Sequence, residues 1–150
     1  MRQGQDTDTI ERRPVSLGAP TFALSSAARR VTITAALISG PHGMAEWPDH
    51  KIEMRVVLDR HGRLDMHAWE ADPEAWVARR LRPDAPSVRG DVQYDPDEGW
   101  VLRFYQGHDQ SPDAPRCVLG IGVGPLRPGH CISVIEPGWK HYGYRIVGVG

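Results

Sequence analysis

The chain has 150 residues, of which 40% are hydrophobic and 25% are charged. This is the composition of a folded globular domain, and it argues against wholesale disorder and against a membrane class. Eighteen basic and nineteen acidic side chains leave a formal net charge of −1. The chain therefore lacks the positive surplus that phosphate-binding proteins use, and nucleic acid is not expected as the main partner.

The first twenty residues differ in composition from the rest of the chain. Residues 1–20 are mostly polar, with Ile10, Val15 and Leu17 as their sizeable apolar side chains. Such a segment buries too little apolar surface to order alone, so we predict an N-terminal arm that is either a disordered terminus or a contact to a partner subunit. It has no apolar signal segment, and we expect a cytoplasmic location.

Residues 21–150 are predicted to form one β-rich domain, because 16 Gly and 13 Pro suit short strands joined by specified turns. Residues 30–38 alternate as a strand does. Residues 52–69 predict a hairpin around a turn at 59–62, where Asp59 accepts a backbone hydrogen bond and Gly62 adopts a positive φ. Its predicted core face is Ile52, Met54, Val56 and Leu58 going up, and Leu64, Met66 and Ala68 coming back.

A change of pattern after Trp69 predicts one short helix over residues 73–81. Asp72 is placed as the N-cap, and Pro73 stands at the first helical position, where its missing N–H does no harm. Trp76, Val77 and Leu81 would then share one side of the helix and cover the sheet.

The second half of the chain continues with hairpins. Residues 88–105 predict a hairpin with its turn at 95–99, and residues 117–123 predict a strand interrupted by glycines. Residues 131–149 predict a last hairpin, in which Pro137 and Gly138 specify a type II turn. The total is about eight strands and one short helix, which predicts an all-β fold, either a sandwich or a partly open barrel.

Sequence motifs for catalysis are weak. Cys117 and Cys131 are expected to be free thiols, and His130 cannot serve Cys131 as a base because adjacent strand residues point to opposite faces. The glycines of residues 120–124 lack the dinucleotide-binding spacing. No catalytic residue, metal ligand set or cofactor is predicted, and whether the protein is an enzyme stays open, with a non-catalytic role favoured.

The second faces of the two predicted hairpins mix aromatic, Arg and aliphatic side chains. This mixture is typical of protein contact surfaces, although a second layer of the fold could equally cover it. The predicted partner-binding residues are Val57, His67, Trp69, Val101, Arg103 and Tyr105.

Two functions follow from these patterns. The first is a non-catalytic structural or accessory subunit of a larger assembly of like or unlike protein subunits, docking through a sheet face and the N-terminal arm. The alternative is a small metal- or ligand-binding β-barrel enzyme with a cleft lined by His42, Glu46 and His50, although prolines and glycines between them prevent one regular helix from carrying all three.

Overall fold

A closed β-barrel forms the body of the protein. The computed structural model describes residues 27–105 and 114–150, with the side chains of residues 44–48 excepted. Within these residues eight antiparallel strands pair in chain order, and the last strand pairs with the first. The strands are β1 (Arg29–Gly40), β2 (Gly43–Leu58), β3 (Val77–Arg82), β4 (Ala85–Asp95), β5 (Gly99–Phe104), β6 (Arg116–Gly120), β7 (Cys131–Glu136) and β8 (Lys140–Val149). The predicted all-β fold with about eight strands is confirmed, and the sheet closes as a barrel.

Strand β2 shows how the sequence sets the barrel interior. Ile52, Met54, Val56 and Leu58 alternate along the strand and are at most 3% exposed, whereas Arg55 points outward and is exposed. The predicted register of this strand is confirmed. Because side chains alternate across a strand, a slip by one residue would turn all four apolar groups to solvent.

The predicted return strand of the first hairpin is wrong beyond Leu64, which makes an isolated bridge to Leu58. The chain instead forms α1 (Met66–Ala71), and Met66, predicted as core-facing, is half-buried in its first turn. The Asp65 carboxylate accepts a hydrogen bond from the Ala68 backbone N–H at 3.1 Å. This is an N-cap, and it overrides the apparent alternation of the segment.

The predicted helix over residues 73–81 is also wrong. Only a 3-10 turn, Pro73–Ala75, forms there, and β3 follows from Val77. Asp72, predicted as an N-cap, makes no side-chain capping bond. The Pro83-Asp84 pair supplies the turn into β4, with Arg82 paired to Ala85 across it.

The two later hairpins are confirmed. Strand β4 pairs with β5 around the turn at 95–99, and β7 pairs with β8. Gly138 has a φ of 85°, as a type II turn requires, and the Trp139 N–H donates to the Glu136 carbonyl at 3.1 Å. Strand β6 ends at Gly120, three residues earlier than predicted.

The segment between β2 and β3 closes one end of the barrel. Leu64 and Ala68 from this segment join the buried core, as does Leu126 from the β6–β7 connection. Trp76 belongs to the same buried core and stacks on Trp100, with ring centres 5.3 Å apart and planes 4° from parallel. We call this the closed end. The opposite end, where β3 and β7 finish, is called the mouth.

None of the helices within the described ranges is long and apolar enough to cross a membrane.

Candidate functional site

The six residues predicted to bind a partner do not form one exposed surface. Val57 and Val101 are 0% and 1% exposed, and Tyr105 is 8% exposed. His67 is exposed on α1, while Trp69 and Arg103 are half-buried. Strands β3 and β4 also separate Val57 on β2 from Val101 on β5. A docking role for these six residues stays a prediction.

Tyr105 and Trp69 instead make contacts within the chain. The Tyr105 hydroxyl donates a short hydrogen bond to the Asp91 carboxylate on β4. Burial, followed by this bond, raises the pKa of Tyr105 to about 12. The Trp69 indole N–H donates to the Val92 carbonyl at 3.2 Å and so ties α1 to β4.

The alternative cleft residues are spread over the start of β2. His42 is exposed in the β1–β2 turn, and His50 is half-buried on β2 at the mouth. The side chain of Glu46 lies outside the description. Among the described residues, no group of three His, Cys, Asp or Glu side chains is placed to hold a metal ion.

The mouth brings together polar residues that are far apart in sequence. Arg80 on β3 reaches Glu136 on β7, with the Nη2 to Oε2 distance at 2.9 Å. Strands β4, β5 and β6 lie between β3 and β7 in the sheet, so this ion pair crosses the inside of the barrel. It is the polar counterpart of the aromatic stack at the closed end.

The Arg80 guanidinium contacts two side chains, Glu136 and Phe104, but is not fully satisfied. Its central carbon lies 4.4 Å from the centre of the Phe104 ring, a cation–π contact. The Arg80 and Glu136 side chains are 20% and 25% exposed. The Arg80 Nε is buried and has no acceptor among the described residues. An unpaired buried donor is costly, so this cluster is an incompletely satisfied polar network.

The Tyr144 hydroxyl and the Cys117 thiol lie close to the Arg80–Glu136 pair. Tyr144 on β8 is 5% exposed, and burial raises the pKa of its hydroxyl to about 12. Burial also raises the pKa of the Cys117 thiol, while the neighbouring Arg80 opposes that shift. Both groups are therefore protonated near neutral pH. Cys117 and Cys131 are free, as predicted.

A cavity of about 270 Å³ opens at the mouth. It is lined by Leu37, His50, Lys51, Arg80, Leu81, Arg82, Glu136, Tyr142 and Tyr144. Three of these residues are cationic and one is anionic, so the cavity carries a positive surplus although the whole chain is close to neutral. The remaining walls are aliphatic and aromatic. This is the pattern of a small-ligand site, an apolar hollow with a few convergent polar groups.

Sequence reasoning did not identify Arg80 or Glu136. The interpretation of residues 73–81 as a helix gave Arg80 no role, and nothing near it in sequence indicates a partner 56 residues away. The usable signal was Pro83-Asp84, a turn dipeptide that marks residues 77–82 as one arm of a hairpin. With that strand assigned, Arg80 falls on the same face as the buried Ala78.

Comparison with protein-family models, with curated proteins and with solved structures finds no match.

Proposed function

We propose that the protein is a non-catalytic binding barrel that holds one small organic anion in its mouth, with Arg80 as the recognition group. The observation that carries this proposal is the Arg80–Glu136 ion pair, which crosses the barrel interior at the floor of an open cavity. An ion pair adds little to stability at such a place, because desolvating both charges offsets their attraction. A pair that lines an open cavity is better placed to bind a ligand than to stabilise the fold.

The chemistry of the walls favours a carboxylate with an apolar body. A guanidinium forms strong, charge-assisted hydrogen bonds with a carboxylate, as Arg80 already does with Glu136. Lys51 and Arg82 add attraction for a negative charge at the rim. Leu37, Leu81 and the tyrosine rings offer apolar contact to the rest of the ligand.

The size of the cavity limits the ligand to a small molecule. A volume of about 270 Å³ lies just below the usual range of pockets for drug-sized ligands, which begins at ~300 Å³. A single aromatic ring bearing one carboxylate is of a suitable size. Lipids and nucleotides would extend well outside the cavity.

The same groups do not form a catalytic set. A nucleophilic cysteine needs a lowered pKa, and burial moves the pKa of Cys117 in the opposite direction. The raised pKa of Tyr144 likewise keeps its hydroxyl a hydrogen-bond donor at neutral pH. A donor of this kind helps to orient an anion, which supports binding without turnover.

The test is a titration of the folded protein with benzoate, followed by amide chemical shifts in NMR spectra. We expect saturable shifts at residues of β3, β7 and β8 near the mouth, and we expect benzyl alcohol, the neutral analogue, to produce much smaller ones. Arg80→Met should abolish the benzoate shifts. Arg79→Met is the matched control, because Arg79 is the adjacent residue on β3 but is exposed on the outside of the barrel.

Three outcomes would contradict the proposal. They are equal shifts from benzoate and benzyl alcohol, benzoate shifts that cluster away from the mouth, and retention of binding in a folded Arg80→Met protein. Arg80→Lys separates charge from geometry, since lysine keeps the charge but lacks the planar fork. We expect it to bind benzoate about tenfold more weakly than the wild type.

A further inference from the structure

A second feature lies on the outside of the barrel, around Val77. Three adjoining depressions of about 580, 480 and 370 Å³ all include Val77 in their lining. Val77 sits between Arg55 on β2 and Asp91 on β4 in the strand register. The short valine is surrounded by longer side chains, and this produces a continuous grooved surface across β1 to β4, which we call the outer groove.

Arginines from four successive strands line the outer groove. They are Arg30 on β1, Arg55 on β2, Arg79 on β3 and Arg89 on β4, and all four are exposed. Arg79 stands directly opposite Arg89 in the β3–β4 register. Like charges in direct cross-strand pairs are destabilising, so this placement works against the stability of the isolated barrel.

The positive charge is only partly neutralised within the chain. Arg79 lies 3.7 Å from the Glu53 carboxylate. The guanidinium groups of Arg55 and Arg89 have no hydrogen-bond or ion-pair partner among the described residues. Asp91, the acid beside them, is occupied by hydrogen bonds from Tyr105 and Gln93.

We propose that the outer groove docks an extended, acidic segment of a partner protein. Charge complementarity favours an acidic occupant, since the depression bounded by Arg55, Arg79 and Arg89 has one acid, Glu53, against these three cations. The outer groove as a whole has four arginines against three acids. Adjacent strands are roughly 4.8 Å apart, so about five extended residues span the groove from β1 to β4. Acidic side chains on such a segment meet successive arginines.

A protein segment fits better than a nucleic acid does. Glu53, Glu74 and Asp91 are interspersed with the arginines. A continuous phosphate backbone would be repelled at each of these acids, whereas a peptide can place neutral or basic side chains there. In the strand register, Val57 is paired with Arg30 and Arg103 is paired with Asp91, so both residues adjoin this groove. Both were predicted to bind a partner, but the proposed docking surface uses the neighbouring arginines instead.

The experiment uses the full-length protein and a fluorescein-labelled peptide of about ten residues in which Glu alternates with Val. Fluorescence anisotropy at low salt should show saturable binding that weakens as salt is added, because exposed charges are screened. The Arg55→Glu/Arg89→Glu variant should bind at least about tenfold more weakly. The matched control, Arg127→Glu/Arg145→Glu, makes the same charge change at exposed residues outside the groove and should change affinity less than about twofold.

Circular dichroism and thermal melting establish that both variants are folded before they are compared. The proposal is overturned by absence of peptide binding, by equal losses in the two variants, or by tighter binding of a dT20 oligonucleotide than of the acidic peptide. It is independent of the mouth, so failure of benzoate binding would leave it standing.

Discussion

The two ends of the barrel are built on opposite principles. At the closed end Trp76 is 1% exposed and stacks on Trp100, and Trp69 packs edge-on against Trp100 at 6.1 Å. At the mouth the corresponding inward positions hold Arg80, Glu136 and Tyr144 around an open cavity. Removal of apolar surface from water stabilises the first end, whereas the second keeps charged groups at the cost of desolvation.

Under the proposed function, this difference separates stability from recognition within one sheet. Each strand runs from one end of the barrel to the other, so the same eight strands would form the scaffold at the closed end and the walls of the proposed site at the mouth. Tight packing at the closed end fixes the strand positions, and fixed strands hold polar side chains of the mouth in place. A preorganised site loses less entropy when a ligand binds.

The largest expected effect comes from the closed end. Replacing Trp76 by alanine removes a fully buried ring together with its stacking contact to Trp100, which should lower the free energy of unfolding by about 3 to 5 kcal/mol. Urea denaturation measures this loss. Trp139→Ala is the control, because Trp139 is 81% exposed and its removal should cost less than about 0.5 kcal/mol. Similar losses in the two variants would show that the aromatic stack does not hold the closed end.

The second largest expected effect is a pH dependence of the free energy of unfolding, and it comes from Tyr144 at the mouth. The pKa of Tyr144 is about 12 in the folded protein and near 10 when the tyrosine is free. The folded state therefore retains the proton that the unfolded state releases, so the stabilisation is present below pH 10 and is lost as pH rises towards 12. From pH 9 to 12 the wild type should lose about 2 kcal/mol more stability than Tyr144→Phe does. Parallel curves would show that Tyr144 is not shielded as described.

The fold is predictable from the sequence where the pattern of residues reports burial alone. Strand β2 and the β4–β5 hairpin largely alternate apolar and polar residues, because one face of each fills the barrel and the other is mostly polar, with the buried Val57 and Val101 as exceptions. Such alternation needs no knowledge of the rest of the fold. The turns at 59–62 and 95–99 were predictable for the same reason, since Asp59 and Asp95 bond to backbone within a few residues.

Prediction from the sequence fails at β3, where the site interrupts the pattern. The inward positions of β3 hold the small Ala78 and the charged Arg80, so the strand has no apolar face of the usual kind. The charge of Arg80 is compensated by Glu136 and Phe104, which come from β7 and β5. No local rule includes those partners. Secondary-structure predictions from local sequence fail most often at functional positions. Here the wrongly predicted segment contains Arg80, the central residue of the candidate site.

The Arg80–Glu136 pair gives the third test, a double-mutant cycle with Arg80→Met and Glu136→Gln. Because both side chains are mostly shielded, the coupling energy should be about 1 to 2 kcal/mol. Strand β3 also offers a matched control in the outer pair of Arg79 and Glu53, whose side chains are 53% and 32% exposed at 3.7 Å. That coupling should stay below about 0.5 kcal/mol. Equal couplings would remove the distinction between the mouth and the outer surface.

The smallest effect tests how the closed end is covered. Helix α1 has only six residues, too short to be stable alone, so its N-cap and its packing must hold it. Asp65→Ala removes the acceptor of the Ala68 N–H and should cost about 1 kcal/mol. Asp72→Ala is the matched control seven residues later; its side chain makes no capping bond, so the loss should be a few tenths of a kcal/mol at most. Thermal melting of both variants decides between the two aspartates. An equal or larger loss at Asp72 would show that the Asp65 cap is not what holds α1 in place.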